Sequence, residues 1–146
     1  MKSLNSLQPL GLLVLRLVLG LIFFSHGYPK LAYSAAGMQG FFVQHGLPGY
    51  FVYISAVLEV FGAILLVLGL FTRAAALLLA IEMGVAIWKV HSTGSYLAVH
   101  NYEFPLAMLA GSFALATVGA GRLSLDHLLF EGGSMLRPPK YSKHAK

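Results

Sequence analysis

The stretch YFVYISAVLEVFGAILLVLGLFTR, Tyr50 to Arg73, is predominantly apolar from Phe51 to Phe71, with one charge, Glu59, near its centre. As a helix rising ~1.5 Å per residue, such a run crosses a hydrocarbon core ~30 Å thick. Three further segments of similar length and composition lie at about 10–28, 74–90 and 102–120, beside this one at about 50–71. The fold class that follows is all-α, an integral membrane four-helix bundle over residues 10–131, with a basic cytoplasmic tail at 132–146.

Composition agrees. Hydrophobic residues make up 58% of the 146 and charged residues only 10%, whereas a soluble domain carries ~25% charged residues. With no cysteine, disulfides, thiolate metal sites and thiol redox chemistry on this chain are excluded. The net charge of +5 gathers in the tail as Arg137, Lys140, Lys143 and Lys146, which suits anionic lipid and argues against a nucleic-acid partner.

The first segment has two readings. MKSLNSLQPLGLLVLRLVLGLIFF followed by YSAAG has the elements of a cleaved signal peptide. Arg16 inside the apolar run, and the length of that run before YSAAG, favour a retained first span. The turn FTR forces the second and third spans into an antiparallel hairpin, and a short interfacial helix is expected around Met38 to Gln44. The loop HSTGSYLAVHN before the fourth span is polar. Placing both termini inside puts Lys2, Arg73, Arg122, Arg137, Lys140, Lys143 and Lys146 on the cytoplasmic side against Lys30 and Lys89 outside. The expected topology is therefore N-in, C-in. Ser124 is an N-cap candidate for a short amphipathic interfacial helix, LDHLLF, after the fourth span.

Depth counting assigns candidate sites. Glu59 falls ~13 Å below the outer boundary, with Glu82 ~12 Å and Arg16 ~9 Å above the inner one. Charges facing lipid are costly, so these three are expected to face one another as a midplane cluster. In it one glutamate would pair with Arg16 while the other holds a proton, an arrangement suited to proton-coupled chemistry or to plain structural pairing. A second group gathers at the outer rim: His26 and Lys30, four apart on one helix face, then Lys89, His91, His100 and Glu103. His26, Lys30, His91, His100 and Glu103 are the candidate cofactor contacts. No HxxxH or HExxH spacing occurs, so no metal site is expected. Glu103, Ala107, Ala110, Ala114, Thr117 and Gly121 make a stripe on the fourth helix that would let a neighbouring backbone approach, as would Ser55, Glu59, Gly62 and Gly69 on the second. Phe23, Phe24, Tyr28, Tyr33, Phe41 and Phe42 read as an interfacial aromatic belt.

Taken in order, LRLVLGLIFFSHGYPKL, EVFGAILLVLGLFTRAAALLLAIEM, NYEFPLAMLAG and GAGRLSLD resemble the DoxX family of small four-helix bacterial membrane proteins, over about Leu10 to Glu131. The resemblance implies a multi-pass protein of the bacterial inner membrane. It also implies association with quinone-reactive or oxidant-defence oxidoreductase assemblies; the related DoxD is a membrane subunit of thiosulfate:quinone oxidoreductase. The family's recurring polar residues correspond here to Arg16, His26, Lys30, Glu59, Arg73, Glu82, Glu103, Arg122, Ser124 and Asp126. Quinone is the cofactor this suggests, with Arg16 or His26 as hydrogen-bond donor and Glu59 or Glu82 as proton carrier. No flavin, nicotinamide or haem motif is present, so electrons must come from a separate partner. Membrane lipids, other redox subunits and further copies of the chain are the candidate partners. The alternatives are a non-catalytic scaffold packed through the small-residue faces, or a small transporter or proton path.

Overall fold

The computed structural model describes residues 6–91 and 98–131. The basic tail, Lys2 and most of the polar third loop lie outside the described residues. Among those described the chain is wholly helical. Its order is α1 (Gln8–Pro29), a π-helical turn (Lys30–Ser34), α2 (Ala35–Gln44), α3 (Phe51–Leu68), α4 (Thr72–Ala86), a second π-helical turn (Ile87–His91), a 3₁₀ turn (Val99–Asn101), α5 (Glu103–Val118) and a last π-helical turn (His127–Glu131). This is an all-α membrane bundle. Three stretches, Gln8–Tyr33, Phe51–Leu68 and Thr72–His91, are long and apolar enough to span a bilayer, while Glu103–Val118 is shorter at 16 residues.

Each boundary has a local cause. Pro9 opens α1, where its missing N–H costs nothing. Pro29 ends its regular pattern, because it donates no bond to the preceding turn, and the chain widens into the first π-helical turn. Gly69 stops α3 at φ +68 with its N–H on the Leu65 and Leu66 carbonyls, and Leu70 N–H closes back on Leu65. Phe71 follows at φ +47. The α4 N-terminus so created is capped from across the bundle, since Asp126 Oδ1 and Oδ2 accept from Phe71 N–H (2.7 Å) and Thr72 N–H (2.9 Å). Ser124 caps the final turn as expected, its Oγ accepting from His127 N–H at 3.1 Å.

α1 packs chiefly on α3, and α4 chiefly on α5, with the α3–α4 hairpin joining the two pairs. The core between them is Leu19, Phe23, Ala63, Leu66, Ala75, Ala76, Leu79, Met108 and Leu115. Phe23, expected in the aromatic belt, is part of this core at 2% exposed. Tyr28, Tyr33, Tyr50 and Trp88 are exposed near the Lys30 end of the bundle, at the level of an interfacial girdle. The small-residue stripe expected on the fourth span turns outward. α5 buries Pro105, Met108, Ser112 and Leu115, leaving Ala107, Ala110 and Thr117 exposed.

Gly27 sets the distance between α1 and α3. A Cβ there would lie 2.6 Å from Glu59 Cβ and 3.0 Å from the Val60 backbone nitrogen. Only a glycine allows this approach, which lets Lys30, at the start of the π-helical turn that follows, reach Glu59.

Candidate functional site

Glu59 pairs with Lys30. The Lys30 Nζ donates to Glu59 Oε2 at 2.7 Å and Oε1 at 2.8 Å, and to Ser55 Oγ at 3.2 Å. These three acceptors match the three donors of an ammonium group. Both side chains are largely withdrawn from solvent, at 17% and 5% exposed.

Arg16 is elsewhere, which corrects the expected Arg16–Glu59–Glu82 cluster. Its guanidinium, 1% exposed, donates to the carbonyls of Leu66 (2.9 Å), Val67 (3.1 Å), Ala120 (2.8 Å) and Leu123 (2.8 Å). Two of these, Leu66 and Val67, are carbonyls of the last turn of α3, where the regular i to i+4 bonding of the helix runs out. Gly69 leaves the room: a Cβ there would stand 2.7 Å from Arg16 Cζ. Facing positions on the antiparallel helices explain the outcome. Arg16 lies opposite Leu66 and Val67, Gly20 opposite Ala63, Gly27 opposite Glu59 and Val60, and Lys30 opposite Ser55 and Glu59. Arg16 is therefore about two helical turns from Glu59, and Lys30 is the cation at its level.

Glu82, on α4, does reach the acidic group as expected. The charge of Glu59 acts on it, and that of Lys30 more weakly. Both Glu82 carboxyl oxygens are buried and find no donor among the described residues. Ser55 adjoins that carboxyl but without hydrogen-bonding geometry.

These groups form one wall of a cavity of about 540 Å³ whose other walls are mostly apolar, among them Phe41, Phe51, Leu58 and Phe104. Of the predicted cofactor contacts, His26, Lys30 and His91 line it. His100, in the 3₁₀ turn, and Glu103, at the start of α5, are exposed and do not. His45 also lines it, and sequence reasoning missed it because the histidine sits in a loop with no periodic signal. Three cavity histidines share one arrangement. His26 Nδ1 donates to the Ile22 carbonyl (2.9 Å), His45 Nδ1 to Phe41 (2.7 Å) and His91 Nδ1 to Ala86 (3.1 Å). A carbonyl only accepts, so each neutral imidazole keeps Nε2 as its acceptor. Among the described residues no three histidines or acidic groups converge as metal ligands. Lys30 and His91 each lie in a π-helical turn, a feature that recurs at functional positions.

The DoxX family model matches residues 11–92. A Bacillus subtilis protein named provisionally as the oxidoreductase CatD is 36% identical over 131 residues, covering 88% of this chain and 93% of that protein. The Escherichia coli inner membrane protein YphA is 35% identical over 127 residues, covering 82% of this chain and 90% of its own. A second inner membrane protein of that organism, YqjF, is 29% identical over 127 residues, covering 86% and 96%. No solved structure gives a significant match.

Proposed function

The chain belongs to the DoxX family of multi-pass inner membrane proteins, and on that premise we propose that it is the quinone-handling membrane subunit of an oxidoreductase system. In this reading the quinone ring enters the apolar cavity and Glu82 exchanges a proton with it. The observation that carries the reading is the Glu82 carboxyl, buried without a donor among the described residues on the wall of a cavity of about 540 Å³. An unmatched buried polar group costs ~1–3 kcal/mol, and such a cost is tolerated where a ligand completes the bonding. The fit is chemical as well: an aromatic and aliphatic cradle with few convergent polar groups suits a flat ring bearing carbonyl oxygens.

A bound quinone supplies a two-electron, two-proton couple whose oxygens accept hydrogen bonds. The chain's own residues divide the remaining work. Phe51, Phe104 and Leu58 hold the ring and exclude water. Lys30 keeps Glu59 as the fixed carboxylate of an ion pair, so Glu59 is not the proton carrier. Glu82, with no cation bound to it, holds the exchangeable proton at its carboxyl. His26 presents Nε2 at the exposed rim of the same cavity, the position of a surface-side acceptor in a relay. Electrons come from a partner subunit or small donor, because the sequence carries no motif for a redox cofactor of its own.

A scaffold role has one observation in its favour, the outward small-residue stripe of α5, which suits close packing against another membrane helix. It gives no reason for an orphaned carboxyl on a cavity wall.

Filling the cavity tests the proposal. Ala86 lines it, and Ala86→Phe in lipid nanodiscs should weaken binding of a short-chain quinone, followed by calorimetric titration, by about tenfold, equivalent to ~1.4 kcal/mol. The unfolding midpoint should stay near that of the parent. Undiminished binding by a folded Ala86→Phe protein would place the ligand elsewhere.

A further inference from the structure

At the opposite end of the bundle a second cavity, about 690 Å³, opens between the start of α1, the start of α4 and the chain that follows α5. Two arginines line it. Arg73 donates from Nη2 to the Val118 carbonyl at 3.3 Å, and its guanidinium lies across Gly119, where a Cβ would stand 3.1 Å from Arg73 Nε. Arg122 is exposed and has no hydrogen-bond or ion-pair partner among the described residues. Asp126 is the carboxylate in the lining, and it is engaged by the Phe71 and Thr72 amides. Arg16 also acts on that carboxylate, so among the described residues one carboxylate in the lining faces the two arginines with its charge already shared. The α4 N-terminus is already capped by Asp126 and contributes no free amides.

Beside the arginines the lining turns apolar. Phe71 and Phe130 rings stand 5.9 Å apart, both exposed, and Val118 continues the same flank. The cavity lies where α1 and α4 begin and α5 ends, at the depth of lipid headgroups for helices of this length. A cationic pocket with an apolar flank at that depth matches an amphiphile carrying a phosphate.

We infer that this cavity is a binding site for an acidic phospholipid, its phosphate held between Arg73 and Arg122 and its acyl chains running along Phe71 and Phe130. Residues 132–146 hold Arg137, Lys140, Lys143 and Lys146 and no Asp or Glu, so their side chains offer these arginines no counter-charge. A free phosphate would leave the apolar flank uncovered. The site is at the other end of the bundle from Glu82 and stands independently of the quinone reading.

Native mass spectrometry of the detergent-extracted full chain, with added phosphatidylglycerol or phosphatidylcholine, tests it. The parent should retain phosphatidylglycerol in preference. At ~1 kcal/mol per arginine near the surface, Arg73→Gln with Arg122→Gln should cut that preference by roughly thirtyfold. Arg122→Gln alone, which removes no bond seen in the fold, should cut it by about fivefold. The Arg73→Lys, Arg122→Lys protein should keep most of it. Equal retention of the two lipids by the parent, or an undiminished preference in Arg122→Gln, overturns the inference. So does displacement of the lipid by equimolar inorganic phosphate, which would make the pocket a phosphate site.

Discussion

Replacing Arg16 by methionine should cost the bundle roughly 3–5 kcal/mol, the range for stripping one partner from a buried charged network. The side chain is 1% exposed and makes four bonds, to Leu66, Val67, Ala120 and Leu123. Methionine fills much of the volume but leaves carbonyls at the end of α3 and after α5 without a donor. Arg16→Lys should recover only part of the loss, because a compact ammonium cannot span carbonyls on two separate segments as the planar fork does. Denaturant titration in mixed micelles, read by fluorescence or circular dichroism, measures the shift. A midpoint unchanged in Arg16→Met would mean that the end of α3 and the chain after α5 are held by something other than this residue.

Breaking the Lys30–Glu59 pair from one side should be nearly as damaging. Glu59→Gln leaves the Lys30 ammonium, 17% exposed, without its counter-charge, a loss of about 3–5 kcal/mol for a pair of this burial. Removing both charges together, as Lys30→Met with Glu59→Leu, should restore much of the stability, since an apolar pair of similar volume avoids the desolvation cost. The cycle of Lys30→Met, Glu59→Leu and the two combined should therefore show a coupling of at least ~1.5 kcal/mol between the two positions. Additive single losses would mean that each side chain is held by other neighbours and that the 2.7 Å contact carries little energy.

Much of the fold was legible because lipid simplifies the code. Spans announce themselves by length, the FTR turn fixes the α3–α4 hairpin, and Ser124 caps the turn it was expected to cap. Boundaries moved where backbone chemistry intervened. Pro29 and the π-helical turns extend the first and third stretches to Gln8–Tyr33 and Thr72–His91, while Gly69 cuts the second short at Leu68.

The site was half legible. Glu59 and Glu82 were found as unexplained charges inside spans, and His26, Lys30 and His91 as polar groups at one rim. Their partners were not, because depth counting treats each helix separately and says nothing of register between helices. Arg16 and Glu59 looked close enough to pair, yet a guanidinium two turns away has α3 carbonyls at its own level, and it takes them. The stripe on α5 was legible as a packing face but not its direction: small residues allow packing and do not say whether the neighbour lies inside the bundle or outside it. Phe23 was placed in the belt on residue type alone, although its spacing from Leu19 and Gly27 puts it on the buried face of α1.

The central claim is that Glu82 is kept for a ligand rather than for the fold. The most direct measurement is thermal unfolding of Glu82→Leu in nanodiscs, with and without a short-chain quinone. Without quinone the variant should unfold at or above the parent temperature, because two buried unmatched oxygens have been replaced by hydrocarbon. With quinone the parent should shift upward by mass action, and the variant should not. A Glu82→Leu protein that is less stable than the parent, or that shows the parent's full quinone shift, would contradict the account.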